Sequence, residues 1–197
     1  AVEKDVGIGA HPGFPDLQGF GRRQMQIPLK TLGNMVRYQV GAAQAMAQSV
    51  GGSVRHLKLH GALSNMACKD ADMARACYEA ALDVAPNIII MGLAATEMET
   101  VCRALKCNWA GEIFADRAYN DDLSLVSRKR EGALIENKKK VLDQVKRIAT
   151  HNLVEAVSGA HIKILADTFC VHSDTPTAFE IVSYLTRELP RNNVKIT

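Results

Sequence analysis

Four short apolar runs in this chain each end on a group able to do chemistry. Residues 6–10 lead into His11. Residues 54–59 carry Lys58 and lead into His60. Residues 111–115 lead into Asp116 and Arg117, and residues 168–171 lead into His172 and Asp174. Imidazole titrates near neutrality and can pass protons, ammonium and guanidinium groups offset negative charge, and a carboxylate can orient an imidazole or a water. Each residue also has a plain packing role. His11 precedes Pro12 and can bond the turn, His60 can donate from a buried ring to a carbonyl, and Asp174 can cap the segment led by Thr175 and Pro176. A fifth segment, GFGRR at residues 19–23, sets Arg22 and Arg23 beside two glycines. Guanidinium forks suit carboxylate or phosphate, and backbone amides freed by glycine support the same anion; a solvated loop is the alternative.

Standard signatures are absent from the sequence. GIG at residues 7–9 is followed by His11-Pro12 where a dinucleotide fingerprint needs a helix, and GxxxxGK[ST], HExxH and CxxC do not occur. A metal held by His11, His60 or His172 with a carboxylate stays open, since both ligand types suit zinc, but no spacing specifies one.

Strands must position these residues. β-rich runs at 6–10, 54–59, 87–91, 111–115 and 168–171 alternate with helical patterns at 29–50, 70–85, 95–106, 137–151 and 175–189. Pro28 suits a first helical turn, Gly51-Gly52 and Pro86 stop helices, and Asn137 reads as an N-cap. The three isoleucines at 88–90 predict a strand buried on both faces. Ser158-Gly159 between two short apolar runs predicts a hairpin, and residues 117–132 a polar loop. The opening residues AVEKDVG read as the last turn of a helix running into a strand. Alternating β and α units imply an α/β fold with parallel strands and helices outside them. All strand ends of such a fold lie on one side, where active sites form, so the polar ends are expected to converge. A closed or distorted barrel and an open doubly wound sheet both satisfy the pattern.

The chain has 197 residues, 47% hydrophobic, enough for one domain with a substantial core. Net charge is +3 and the basic residues are scattered; with 5% aromatics, no nucleic-acid groove is indicated. The run 138–140 of three lysines reads as a solvated helix face. Five cysteines without CxxC spacing point to a reducing, cytoplasmic compartment. No stretch is long and apolar enough for a membrane helix. The oligomeric state stays open, a homo-oligomer included.

These segments also resemble a known family. GAHPGFPDLQGFGRR, KLHGALSN, EIFADRAYNDDLSLVSR followed by GAL, and ADTFCVHSDTP are similar to the four blocks of the LamB/YcsF family, in the same order over residues 7–177. Leu59, Ser64 and Ser173 stand where the family carries Pro, Tyr and Gly. The resemblance implies a distorted (β/α) barrel of about seven strands, akin to glycoside hydrolases and deacetylases, whose first strands lie ahead of this chain. It implies ATP-driven opening of the lactam 5-oxoproline to glutamate, with Mg accompanying the ATP and with 5-oxoprolinase subunits B and C as partners. An older description ties the family to lactam utilisation and carbohydrate metabolism. Under that activity, His60, His172, Asp116 and Lys58 are the expected catalytic residues, and His11, Asp16, Arg22, Arg23, Arg117 and Asp174 the expected substrate or phosphate ligands. The alternatives are a metal-dependent carbohydrate deacetylase and a binding subunit without catalysis of its own.

Overall fold

The computed structural model describes residues 1–128, 130–173 and 176–196. The chain divides into two compact units, 1–110 and 111–197.

The first unit holds three parallel strands, β1 (Ile8–Ala10), β2 (Val54–Lys58) and β3 (Ile89–Leu93), in that order across the sheet. A 3-10 turn over Val2–Lys4 precedes β1. Helix α1 (Leu29–Gln48) follows the loop after β1. It buries Leu32, Val36 and Val40, spaced four apart on one stripe. Pro28 is its N-cap residue rather than part of its first turn. Helix α3 (Ala71–Val84) packs against α1, where Gly33 faces Ala80, and it buries Ala74, Cys77, Tyr78 and Ala81 fully. Its Asp70 side chain accepts from the Met73 N–H at 3.0 Å. Helix α4 (Glu97–Leu105) follows β3 and buries Met98, Val101 and Cys102. Leu57 and Ile90 complete this core at 0% exposure, on the helix-covered face of the sheet.

Two expectations change here. Helix α2 (Gly61–Ala67) starts immediately after β2, where the sequence suggested only a strand end. Strand β3 is not buried on both faces: Ile88 and Ile90 are, but Ile89 is 41% exposed. Ile89 pairs in register with His56, and Met91 with Lys58, so this is the face that carries the polar side chains of β2.

The second unit pairs β4 (Trp109–Phe114, which begins two residues before the boundary) with β7 (Thr168–Cys170) in parallel. Between them lie an irregular segment, α5 (Lys138–His151) and the antiparallel hairpin β5 (Leu153–Glu155) and β6 (His161–Lys163). Asn137 caps α5 as expected, accepting from the Lys139 and Lys140 N–H groups. Lys139 and Lys140 are exposed, and Lys138 pairs with Glu180. Helix α6 (Ala178–Arg191) packs on α5, its Ile181, Leu185 and Leu189 meeting Val141, Leu142 and Val145. It starts three residues later than the pattern suggested and runs through Pro190. A proline in the final turn forfeits one backbone bond, and Asn192 closes that end by donating from its backbone to Glu188 and Leu189 carbonyls and from its side chain to Glu188.

Candidate functional site

Each unit gathers its own group of polar side chains at the C-terminal ends of its strands. In the first unit, period-2 alternation puts His56, Lys58 and His60 on one face of β2 and its extension. His56 lies beside Gly9 of β1, its register partner. A β-carbon at Gly9 would sit 2.1 Å from His56 Nε2, so only glycine admits this ring. Sequence reading passed over His56, although its spacing from Lys58 and His60 was the available signal.

The loop from residues 11 to 23 folds back over the end of β2. The His60 N–H donates to the Pro12 carbonyl at 2.9 Å, and the Ala62 N–H to the Gly21 carbonyl at 2.9 Å. From α1, Gln39 accepts from the Gly13 N–H and donates to the Gly13 carbonyl, both at 3.0 Å. Gly61 has φ +55 and its missing β-carbon would lie 2.5 Å from the Gly21 carbonyl oxygen, so the approach of loop and helix depends on it. Phe20 is left-handed at φ 54, a conformation costing a side-chain-bearing residue about 1–2 kcal/mol. Its carbonyl faces His60 Nε2 at 2.6 Å, its ring meets the His60 ring edge-on at 5.2 Å, and Arg22 lies over that ring at 5.4 Å. His11 Nδ1 lies 2.7 Å from the Lys58 carbonyl, and His11 Nε2 lies 3.0 Å from His60 Nδ1.

Asp16 and Arg23 serve the loop itself. The Asp16 carboxylate is buried and accepts from Arg23 Nε at 2.8 Å, from the Gly19 N–H at 3.0 Å and from the Arg23 N–H at 3.3 Å. The Arg23 hydrogen bond, above all, pulls the Asp16 carboxyl from 3.8 to about 2. A lowered carboxylate pKa stabilises the fold above its ordinary value, and that gain disappears as pH falls through the folded one. Asp16→Asn is therefore expected to be less stable than the parent near neutral pH. Urea unfolding should show the difference closing between about pH 4 and pH 2.

In the second unit, Asp116 lies two residues past the end of β4, and its side chain is 3% exposed. Asp116 accepts from His172 twice, from its backbone N–H at 3.2 Å and from Nδ1 at 3.1 Å and 3.2 Å. The His172 ring stacks on Phe114 at 4.9 Å and its side chain is 21% exposed. Burial raises the Asp116 pKa, but the hydrogen bonds and charge of His172 outweigh it and the net direction is down. An ionised Asp116 fixes the proton of a neutral His172 at Nδ1, which leaves Nε2 with the lone pair.

The end of β4 is held firmly. Gln144 of α5 is buried and its amide nitrogen reaches the carbonyls of Phe114, Ala115 and Arg117 at 3.2, 3.0 and 3.0 Å. Arg117 is buried and donates to the carbonyls of Val126 and Ala133 at 2.7 and 3.3 Å, clipping the irregular segment rather than standing open to a ligand. Tyr119 accepts from the Phe114 N–H at 2.8 Å. Tyr119→Phe would leave that buried N–H without its acceptor and should lower the unfolding free energy by about 1–3 kcal/mol in denaturant titration. Neither Gln144 nor Tyr119 was singled out in the sequence; a glutamine on a helix and a tyrosine in a loop carry no pattern.

Of the ten residues expected at a site, His11, Lys58 and His60 meet in the first unit, with Arg22 beside them through Phe20. Asp116 and His172 meet in the second. Asp16, Arg23 and Arg117 are engaged within their own loops, and Asp174 lies outside the described residues. Among the described residues, no three His, Cys, Asp or Glu form a group that could hold a metal ion. No helix among them is long and apolar enough to cross a membrane.

The model of the LamB/YcsF family matches residues 1–197. The 5-oxoprolinase A subunit of Ruegeria pomeroyi is 53% identical over 197 residues, all of this chain and 78% of the relative. Its namesake from Pyrococcus horikoshii is 42% identical over 196 residues, covering 100% of this chain and 77% of the relative. The crystal structure of a lactam utilization protein from Thermus thermophilus superposes with a TM-score of 0.92 at 34% identity, covering 100% of this chain and 78% of the other.

Proposed function

This chain belongs to the LamB/YcsF family, and on that premise we propose that it is the A subunit of a 5-oxoprolinase, opening the lactam 5-oxoproline to glutamate with cleavage of ATP. Two things support the reading: a family match over the whole chain, and the hydrogen-bonded Asp116–His172 pair at a strand end. The pair is the observation that carries it, because lactam hydrolysis needs a placed proton acceptor.

Amide resonance and easy re-closure of the ring resist hydrolysis. Transfer of a phosphoryl group from ATP to the lactam oxygen removes both obstacles, making the ring carbon electrophilic and the oxygen a leaving group. Water then adds at that carbon and the ring C–N bond breaks, leaving an acyl phosphate that a second water hydrolyses to glutamate and phosphate. In this proposal His172 Nε2 takes the proton from the attacking water and returns it to the ring nitrogen, while Asp116 holds the tautomer and balances the imidazolium. Lys58 offsets charge on phosphoryl oxygens and Arg22 binds the substrate carboxylate. Lacking a P-loop, the sequence binds ATP in another manner or receives it from a partner. Mg²⁺ would arrive with the nucleotide, using phosphate oxygens and its own waters as ligands.

The word "subunit" in the relatives' names supports an assembly, and we propose subunits B and C as the partners. Five cysteines without CxxC spacing support a cytoplasmic setting. The test is direct. The protein, with its partner subunits, 5-oxoproline and ATP, is expected to form glutamate and ADP together. Omission of this subunit should abolish glutamate formation; glutamate at an undiminished rate without it would end the assignment.

A further inference from the structure

The ring nitrogens of His11 and His60 face partners that count protons. Carbonyl oxygens only accept. The Lys58 carbonyl lies 2.7 Å from His11 Nδ1, so that nitrogen donates, and the Phe20 carbonyl lies 2.6 Å from His60 Nε2, so that one donates too. The two remaining nitrogens, His11 Nε2 and His60 Nδ1, face each other at 3.0 Å. Two neutral rings have one N–H each, and here both are already directed at carbonyls. Their inner nitrogens would then oppose lone pair to lone pair at hydrogen-bond distance, which is repulsive; one hydrogen between them turns the contact into a bond.

We infer that His11 and His60 hold three N–H protons between them, so that the pair is a monocation, and that this charge latches the left-handed Phe20 turn to the end of β2. His60 carries the charge, donating from both nitrogens, and His11 is the neutral Nδ1–H tautomer. The environment of His11 agrees. Its pKa is lowered to about 4, with burial the largest cause; the Lys58 carbonyl works the other way, and the charges of His60, Lys58 and His56 add to the lowering. Edge-on packing of the Phe20 ring and of His11 itself against His60 fixes the ring plane that the three bonds need.

The charged and titratable groups around the pair are His56 and Lys58 from β2 and Arg22, Arg23 and Asp16 from the loop. Asp16 is bonded to Arg23. Gln39, which reaches the loop from α1, is neutral. Lys58 and His56 oppose protonation of His11, and the Lys58 carbonyl favours it. Loss of the third proton as pH rises must break one of the three contacts, so the latch is closed at lower pH and loosens at higher pH. His60 in this state has no lone pair to offer. It is a positioning residue for the Phe20–Arg22 turn rather than a proton acceptor.

The test needs no turnover and is therefore independent of the proposed reaction. The 197-residue chain, with ¹⁵N-labelled histidine, is followed by long-range ¹H–¹⁵N correlation from about pH 5 to pH 9, the window in which imidazole titrates. Single histidine-to-glutamine variants assign the rings. Near neutrality His60 is expected to show two protonated nitrogens and His11 a proton on Nδ1 alone. Raising the pH should remove one proton from the pair, and the Phe20 and Gly21 amide signals should move with the same midpoint. In His11→Phe, which removes the inner acceptor, His60 should lose its proton at a lower pH. If that variant does not fold, the parent spectra alone decide. An Nε2–H tautomer of His11, a pair that is neutral throughout, or Phe20 and Gly21 amides that ignore its titration would each overturn the inference.

Discussion

Asp116→Asn should lower glutamate formation by on the order of 10²- to 10⁴-fold while the fold survives. The carboxylate accepts from both the backbone N–H and the Nδ1–H of His172. An amide in its place has one acceptor and one donor. With its oxygen kept on the backbone N–H, its NH₂ faces Nδ1, and the imidazole answers by moving its proton to Nε2. The nitrogen assigned to take the proton from water then has no lone pair, and the negative charge that steadied the imidazolium is gone. The same logic fixes the double variant. If Asp116 acts only through His172, Asp116→Asn adds little to the loss caused by His172→Ala, because residues acting as a unit are not additive. Rates with 5-oxoproline, ATP and the partner subunits give all three numbers. Parent-like turnover in Asp116→Asn, or losses that multiply in the double variant, would remove the pair from the mechanism.

Much of the fold follows from local pattern. The stripe Leu32, Val36, Val40 and the cap at Asn137 are signals within a few residues of one another, and they place α1 and α5 almost to the residue. Failures came where tertiary context overrides that pattern. Three consecutive isoleucines look buried on both faces, yet nothing local says that Ile89 shares the face with the polar side chains of β2, and Ile89 is 41% exposed. Helix α2 escaped notice because its first residue is a left-handed glycine, Gly61, which reads as a turn. The last helical pattern ends at residue 189, but the helix continues through Pro190, whose missing N–H matters little in a last turn that Asn192 closes.

The candidate site divides along the same line. Strand ends are legible because apolar runs end visibly, and His11, Lys58, His60, Asp116 and His172 all came from that rule. The rule does not say which charge is already taken. Asp16 and Arg23 lie seven residues apart in a loop whose path is set by its contacts with α1 and the end of β2, and their mutual commitment appears only once that path is known. Arg117 shows the converse. A guanidinium at a strand end suggests a ligand, but the chain returns through Val126 and Ala133 and supplies carbonyls instead.

His60→Ala is the second large effect, expected to cut kcat/KM for 5-oxoproline by on the order of 10²- to 10³-fold, as for loss of a placed donor or charge near an anion. Three losses coincide: the bond to the Phe20 carbonyl, the bond to His11, and a positive charge beside Lys58. The Phe20 turn, left-handed and held by that first bond, relaxes once released, and Arg22 two residues on relaxes with it. The loss should therefore fall mainly on KM for 5-oxoproline, with a smaller fall in kcat. His60→Gln separates bond from charge. A glutamine amide reaches about as far as Nε2 and can donate to Phe20, so part of the KM loss should return, whereas the charge does not. Arg22→Ala in the His60→Ala background should add little, because the first change has already displaced the guanidinium. Full additivity of the two would separate His60 from the turn. A kcat that collapses with KM unchanged would instead make His60 the proton-transfer residue and contradict the positioning role.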